Sequence, residues 1–179
     1  MLKKLTGANG VSGCEGEVRE LILFVIKDCG CEITIDHMGN IIAKKPSQSR
    51  KNAPTVLLSA HMDEVGFIVT DITSEGFLRF ESVGGIDPKI LPALRVMVNG
   101  CYGVITLKPI HLTTSEERQK NLQESDLLID IGAKDEADAK LHVSKGDYIS
   151  FVSEFEDLGD MIKAKALVDR LGCAVLIEM

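Results

Sequence analysis

The sequence contains no tryptophan, only two tyrosines and six phenylalanines among 179 residues. A cleft that stacks sugar faces on aromatic rings is therefore poorly served. A glycosidase would also need two carboxylates at a suitable separation, so the endoglucanase reading is the weakest of those considered. No basic tract is present, and the net charge of -7 is the wrong sign for gripping phosphates. No apolar run approaches the ~20 residues of a membrane-spanning helix. The opening MLKKLTGANG has two lysines without the apolar stretch of a secretion signal. The five cysteines are odd in number and scattered, and CGC at 29–31 lacks the two-residue spacer of a redox or zinc pair. They read as reduced thiols of a cytoplasmic protein, mostly core fillers. Hydrophobic residues make up 45% and charged residues 26%, ordinary globular usage for one domain plus a smaller module.

What is present divides at about residue 70. Residues 11–30, VSGCEGEVRELILFVIKDCG, have helical spacing at Val18, Leu21, Ile22 and Val25. Ser12 and Glu15 are spaced as a capping box, and Gly30 offers a stop. CEITIDHMGNIIAKK reads as two strands joined by a turn. KPSQSRKNAP is a polar loop, and TVLLSA, 55–60, has the continuous apolarity of a strand covered on both faces, hence of an α/β layer. Beyond it GFIVTDI, GFLRFESV, ALRVMV, YGVITL and DYISFVSEF are short strands between turn residues, with a hairpin signal at Asn99-Gly100. TTSEERQKNLQ and AKDEADAKLHV between them read as partly helical. The expected fold class is α/β, an incomplete α/β/α exopeptidase-type domain (1–69 and 161–179) interrupted by a small β-rich, barrel-like domain (70–160). MIKAKAL returns as a strand and DRLGCAVLIEM begins a helix. That helix has no cap, glycine stop or polar face, so the pattern expects further sequence to bury it.

The chemistry sits where TVLLSA ends in His61-Met62-Asp63-Glu64. In open α/β sheets, functional groups gather beyond the carboxyl ends of strands. Imidazole suits zinc, cobalt or manganese, and a nearby carboxylate accepting its other N–H fixes tautomer and ring orientation. His-x-Asp alone is a weak signal and leans to a structural reading, a hydrogen-bonded core histidine beside a solvated turn. Glu64 reads either as facing the cleft or as a solvated strand end. Asp36 and Asn40 surround Gly39 in DHMGN and suit side-chain turn chemistry.

Seven stretches in order, GANGVSGCEGEVRELI, DHMGNIIA, LLSAHMDEVGFIV, VGGIDPKILPALRV, GVITLKPIHL, DLLIDIGA and KAKALVDRLGCAVLIE, closely resemble metallopeptidase family forty-two, in its N-terminal portion. Those are dinuclear-metal aminopeptidases, glutamyl and tetrahedral types among them, some called endoglucanase M. The resemblance implies an α/β exopeptidase domain interrupted by a β-rich domain, peptide substrates, two divalent metals such as zinc or cobalt, and a homo-oligomer built through the β-rich part. It implies that His61 binds a metal and that Asp63 orients it. In the family motif Lys-Ala-x-Asp-Asp/Asn-Arg-x-Gly the first aspartate bridges both metals, and the second position follows a cis peptide. Here Val168 takes the bridging position and Asp169 the second. An isopropyl group offers neither charge nor lone pair, so Asp169 is the candidate substitute. The family's Glu-Glu pair and its further Asp and His lie downstream of this stretch. Asp36, Asn40 and Glu64 are candidates for the cleft side, and GGIDP (84–88) for its rim. His37 and His142 read as surface residues, and His111 matches a family position without assigned chemistry. The expectation is a metal-dependent aminopeptidase by family, incomplete or inactive as this chain. The alternative is a non-catalytic relative that keeps the β-rich domain for assembly or partner binding.

Overall fold

A computed structural model describes residues 1–47, 54–108, 114 and 121–179. It divides into two compact units: 1–64 with 154–179, and 65–153. The sequence reading set its division at 70 and 160 instead.

The second unit is a closed antiparallel barrel. Around it the strands run β3 (Gly66–Ile72), β4 (Leu78–Val83), β7 (Leu127–Asp130), β6 (Cys101–Leu107), β5 (Arg95–Val98) and β8 (Tyr148–Phe151), which pairs back to β3. Alternation explains its inside: Phe67, Val69, Leu78, Phe80, Val96, Val98, Ile105, Leu127, Ile129 and Ile149 are all buried. Phe67 meets Phe80 and Phe151 edge-on, with ring centroids 4.8 and 5.1 Å away, the arrangement favoured by the ring quadrupole. The β5–β6 hairpin closes through Asn99 (φ 47°) and Gly100 (φ 80°), with Val98 opposite Cys101. Two successive positive φ values are what a type I′ turn needs, and Asn-Gly tolerates them. Closure removes every strand edge. A short helix, α3 (Glu136–Lys140), starts at Asp135, whose side chain accepts from the Asp138 N–H. The expected mixed α/β fold with a β-rich barrel is thus what the chain adopts. His111 and most of TTSEERQKNLQ fall outside the described residues, as does most of KPSQSRKNAP.

The first unit packs α1 (Leu2–Gly7), α2 (Gly16–Ile26) and α4 (Leu167–Glu178) around Leu5, Ala8, Val18, Ile22, Ile26, Cys173 and Ala174. A hairpin of β1 (Glu32–Ile35) and β2 (Ile41–Lys44) lends Ile33 and Ile41 to this core. Four expectations are corrected here. Residues 55–60 form no strand; Val56, Leu57 and Leu58 are 75, 87 and 50% exposed. A strand is defined by the neighbours that take its N–H and C=O groups, and no described residue does so here. MIKAKAL contributes only β10 (Ile162–Lys163), paired with β9 (Glu156–Asp157). Ser12 is not a capping residue: α2 starts after Glu15 with no side-chain cap, and Ser12 turns elsewhere. The cysteines are mostly not core fillers, since Cys14 and Cys29 are exposed, Cys31 and Cys101 half-buried, and only Cys173 buried.

Candidate functional site

The site grows from residues 61–64, which the first unit holds by backbone bonds rather than by a sheet. A short parallel bridge joins Val11 to Glu64. The Glu64 N–H donates to Gly10 O at 2.8 Å, and the Ser12 N–H donates to Glu64 O at 3.2 Å. On the other side, α4 grips the backbone of His61 at both ends. The His61 N–H donates to Asp169 Oδ2 at 3.2 Å, and Cys173 Sγ donates to His61 O at 3.3 Å. Val168 and Asp169 have non-helical backbone angles, so Asp169 stands just before the regular turns that carry Cys173.

Three side chains then line up. His61 Nδ1 lies 2.9 Å from Asp63 Oδ1, and the Ser12 hydroxyl donates to Asp63 Oδ2. The Ser12 hydrogen bond is the main cause that holds the Asp63 carboxyl below the ordinary carboxylate range, opposed by partial burial and helped by His61. An ionised carboxylate only accepts, so Nδ1 of a neutral His61 carries the proton and Nε2 keeps its lone pair. The imidazole is half exposed, 54% of its side chain.

Glu64 turns the opposite way. Its side chain is 4% exposed, and Oε1 accepts from Lys165 Nζ at 2.7 Å and from the Gly10 N–H at 3.1 Å. Lys165 also donates to Asn9 Oδ1 at 3.1 Å. Arg170 lies beneath, wholly buried, with Nη1 donating to Leu5 O at 2.8 Å and Nη2 3.9 Å from Glu64 Oε1. Burial draws its guanidinium pKa down, and the Glu64 charge works against that. Its Nε and Nη2 find no hydrogen-bond partner among the described residues. A Cβ on Gly10 would come 2.5 Å from Arg170 Nη2, so only glycine lets the chain pass this close. The solvated-strand-end reading of Glu64 therefore gives way to a buried ionic cluster joining residues 9–10, 64 and 165–170.

The remaining candidates lie as follows. Asp36 and Asn40 satisfy each other: Asp36 accepts from the Met38 and Asn40 N–H groups and from Asn40 Nδ2, as a turn-former does. Val168 is 81% exposed and follows Ala166, whose φ is 52°; the peptide from Val168 to Asp169 is cis. Asp169 is spent on the His61 backbone, and its Oδ1 stands where a Cβ on Gly172 would collide with it. Glycine is what leaves that carboxylate room. Among the described residues no group of three or more His, Cys, Asp or Glu side chains is placed to hold a metal. Nε2 of His61 is suited to be one ligand; these residues do not form a closed set around a cation.

Ser12 and Lys165 were not singled out by sequence. Ser12-x-x-Glu15 reads locally as a cap, while its real partner is 51 residues away. Lys165 opens the Lys-Ala-x-Asp motif of the family, but nothing local says that it meets Glu64 across 101 residues.

Comparison with known proteins agrees with this architecture. The family model for M42 glutamyl aminopeptidases matches residues 39–179, and a second model, AMPT, matches 1–21. The chain belongs to the M42 aminopeptidase family. A protein of Acetivibrio thermocellus, provisionally named an aminopeptidase, is 42% identical over 179 residues, 99% of this chain and 52% of its own. The glutamyl aminopeptidase of Lactococcus lactis is 31% identical over 189 residues, 99% of this chain and 52% of its own. The TET aminopeptidase from a Thaumarchaeota archaeon superposes with a TM-score of 0.91 at 35% identity, covering 99% of this chain and 51% of that one. The chain thus spans about half the length of the curated relatives it matches.

Proposed function

We propose that this chain is the amino-terminal part of a metal-dependent aminopeptidase of the glutamyl type and provides one ligand of a dinuclear site, His61. The observation that carries this is the Asp63-oriented imidazole with a bare Nε2. Zinc or cobalt suits such a donor. When bound, metal ions in this family supply polarisation of the scissile carbonyl and activation of a water. This chain's residues hold the imidazole in position: Asp63 keeps the proton on Nδ1, and Asp169 and Cys173 hold the His61 backbone. Val168 offers no donor, and Asp169 is engaged elsewhere, so the chain by itself does not turn over peptides. We place it in the cytoplasm on its scattered, odd number of thiols; no helix among the described residues is long and apolar enough to cross a membrane.

A second reading, assembly through the barrel, is favoured by the completeness of that unit and by a relative. The Pyrococcus horikoshii TET1 peptidase assembles into a tetrahedron or a large octahedral shell and is 37% identical to this chain, with a TM-score of 0.86. Homo-oligomerisation through residues 65–153 is compatible with either catalytic outcome.

The test is metal content per chain by plasma mass spectrometry after dialysis against trace zinc and cobalt, followed by incubation with glutamyl- and lysyl-terminated peptides. The expected result is far less than one metal per chain and no released residue. Stoichiometric metal with release of N-terminal residues overturns the incomplete-site reading. V168D joined to the carboxyl-terminal half of a relative is expected to release N-terminal residues only with metal; an inert product overturns the aminopeptidase assignment.

A further inference from the structure

We propose that Ser12 is a positioning residue for the His61 imidazole, acting through Asp63. The inference rests on His61 being the functional group of the site, and its test reads the imidazole directly.

Asp63 lies at the surface, with 39% of its side chain exposed. A carboxylate in that setting, held only by one imidazole N–H, rotates about its terminal torsion, which has broad wells. Here neither oxygen is left loose: Oδ1 faces His61 Nδ1 at 2.9 Å and Oδ2 accepts from the Ser12 hydroxyl. Two anchors fix the carboxylate plane, and the fixed plane sets the ring plane of His61.

Ser12 is itself held before its side chain is considered. Its backbone N–H donates to Glu64 O at 3.2 Å, and the neighbouring Val11 bridges Glu64. The Cys14 N–H donates to Val11 O at 2.7 Å and Gly13 takes φ 90°, turning the chain just after Ser12. Backbone pairing therefore puts the hydroxyl beside Asp63, and the hydroxyl is not needed to hold the segment there. A residue with a structural role only would leave the histidine's protonation geometry unchanged when truncated.

The experiment is a long-range proton–nitrogen correlation spectrum of the four imidazoles in the metal-free, 15N-labelled full chain at pH 8, with H61Q used to assign His61. Wild type is expected to show His61 mainly with the proton on Nδ1. S12A is expected to move the population toward the Nε2–H form that free imidazole favours in water, and S12T, which keeps the hydroxyl, is expected to restore it. A folded S12A with the wild-type tautomer overturns the proposal. If S12A does not fold, wild type decides alone: a majority Nε2–H form shows that the Asp63 link is absent and overturns the proposal equally. Adding cobalt ion separates this from the metal reading. Failure of cobalt to broaden the wild-type His61 signals, with the tautomer shift still seen in S12A, removes His61 as a ligand while the Ser12 assignment stands.

Discussion

In the barrel each strand finds two neighbours within residues 65–153, whereas the apolar run at 55–60 finds none among the described residues of its own unit. The two segments are equally rich in aliphatic residues, yet Phe67 and Val69 are buried while Val56 and Leu57 stand in solvent. Apolarity creates a demand for cover without specifying who provides it. The barrel meets that demand by curling its sheet onto itself, so its stability is a property of one continuous stretch. The first unit, with two short ribbons and three helices, meets it only in part: Leu171 and Val175 of α4 are about half exposed, 51 and 52%.

The comparison breaks most severely if a central barrel residue proves dispensable. Phe67→Ala removes a fully buried ring that contacts two others. It is expected to cost about 3–5 kcal/mol, through lost transfer energy and a residual cavity. Leu57→Ala, at 87% exposure, is expected to stay within about 0.5 kcal/mol. Urea unfolding followed by tyrosine fluorescence reads Phe67→Ala, because Tyr102 and Tyr148 both lie in barrel strands and the chain has no tryptophan, and helical circular dichroism reads Leu57→Ala in the first unit. Equal effects from the two variants would mean that 55–60 is covered in solution and that the contrast is false.

Next in size is the buried ionic cluster of the first unit. Glu64→Gln leaves Lys165 and Arg170 buried without their counter-charge, although Lys165 keeps Asn9 Oδ1. Removing one partner of a buried pair costs about 3 kcal/mol or more, chiefly as an uncompensated charge. Helical circular dichroism reads the loss, since α1, α2 and α4 all belong to this unit and, among the described residues, the only α-helix of the barrel unit is the five-residue α3. The tyrosine signal is expected to unfold at the wild-type urea concentration. Loss of both signals together would show that the two units unfold as one.

Much of this was legible in the sequence, and the failures share a cause. Alternation plus turn chemistry predicted the strands of the barrel, because both are local: Asn99-Gly100 needs only its own φ values to make a hairpin. The His61–Asp63 hydrogen bond was legible because it spans two residues, while the metal role expected of His61 came from the family resemblance. Ser12 was misread as a cap, and the wet-strand-end alternative for Glu64 failed, because their partners lie 51 and 101 residues away. The strand expected at 55–60 failed for the complementary reason: its pattern described surroundings that the described residues do not supply. The thiols misled in the same way, since a preference for burial says nothing of whether a particular loop is covered.

The smallest expected effect tests whether barrel stability is apolar in origin, as the comparison requires. Asp71 on β3 accepts from Lys145 Nζ at 2.6 Å and from the Ile72 N–H at 3.0 Å, with side chains 50 and 62% exposed. The Lys145 hydrogen bond is the leading cause that lowers its carboxyl from the ordinary 3.8. A lowered acid stabilises the fold above its unfolded value and loses that contribution as pH falls through the native value. Asp71→Asn should therefore lower the urea midpoint of the tyrosine transition slightly at pH 7, by much less than Phe67→Ala. The gap to wild type should close as pH falls from 3.8 through the lower native value, below which Asp71 is neutral like the asparagine. It should also narrow in about 1 M salt, where the screening length is about 3 Å. A gap that persists in acid would assign the effect to the Ile72 N–H and the turn it supports rather than to charge. A gap rivalling Phe67→Ala would mean that surface electrostatics, and not the enclosed apolar interior, hold the barrel shut.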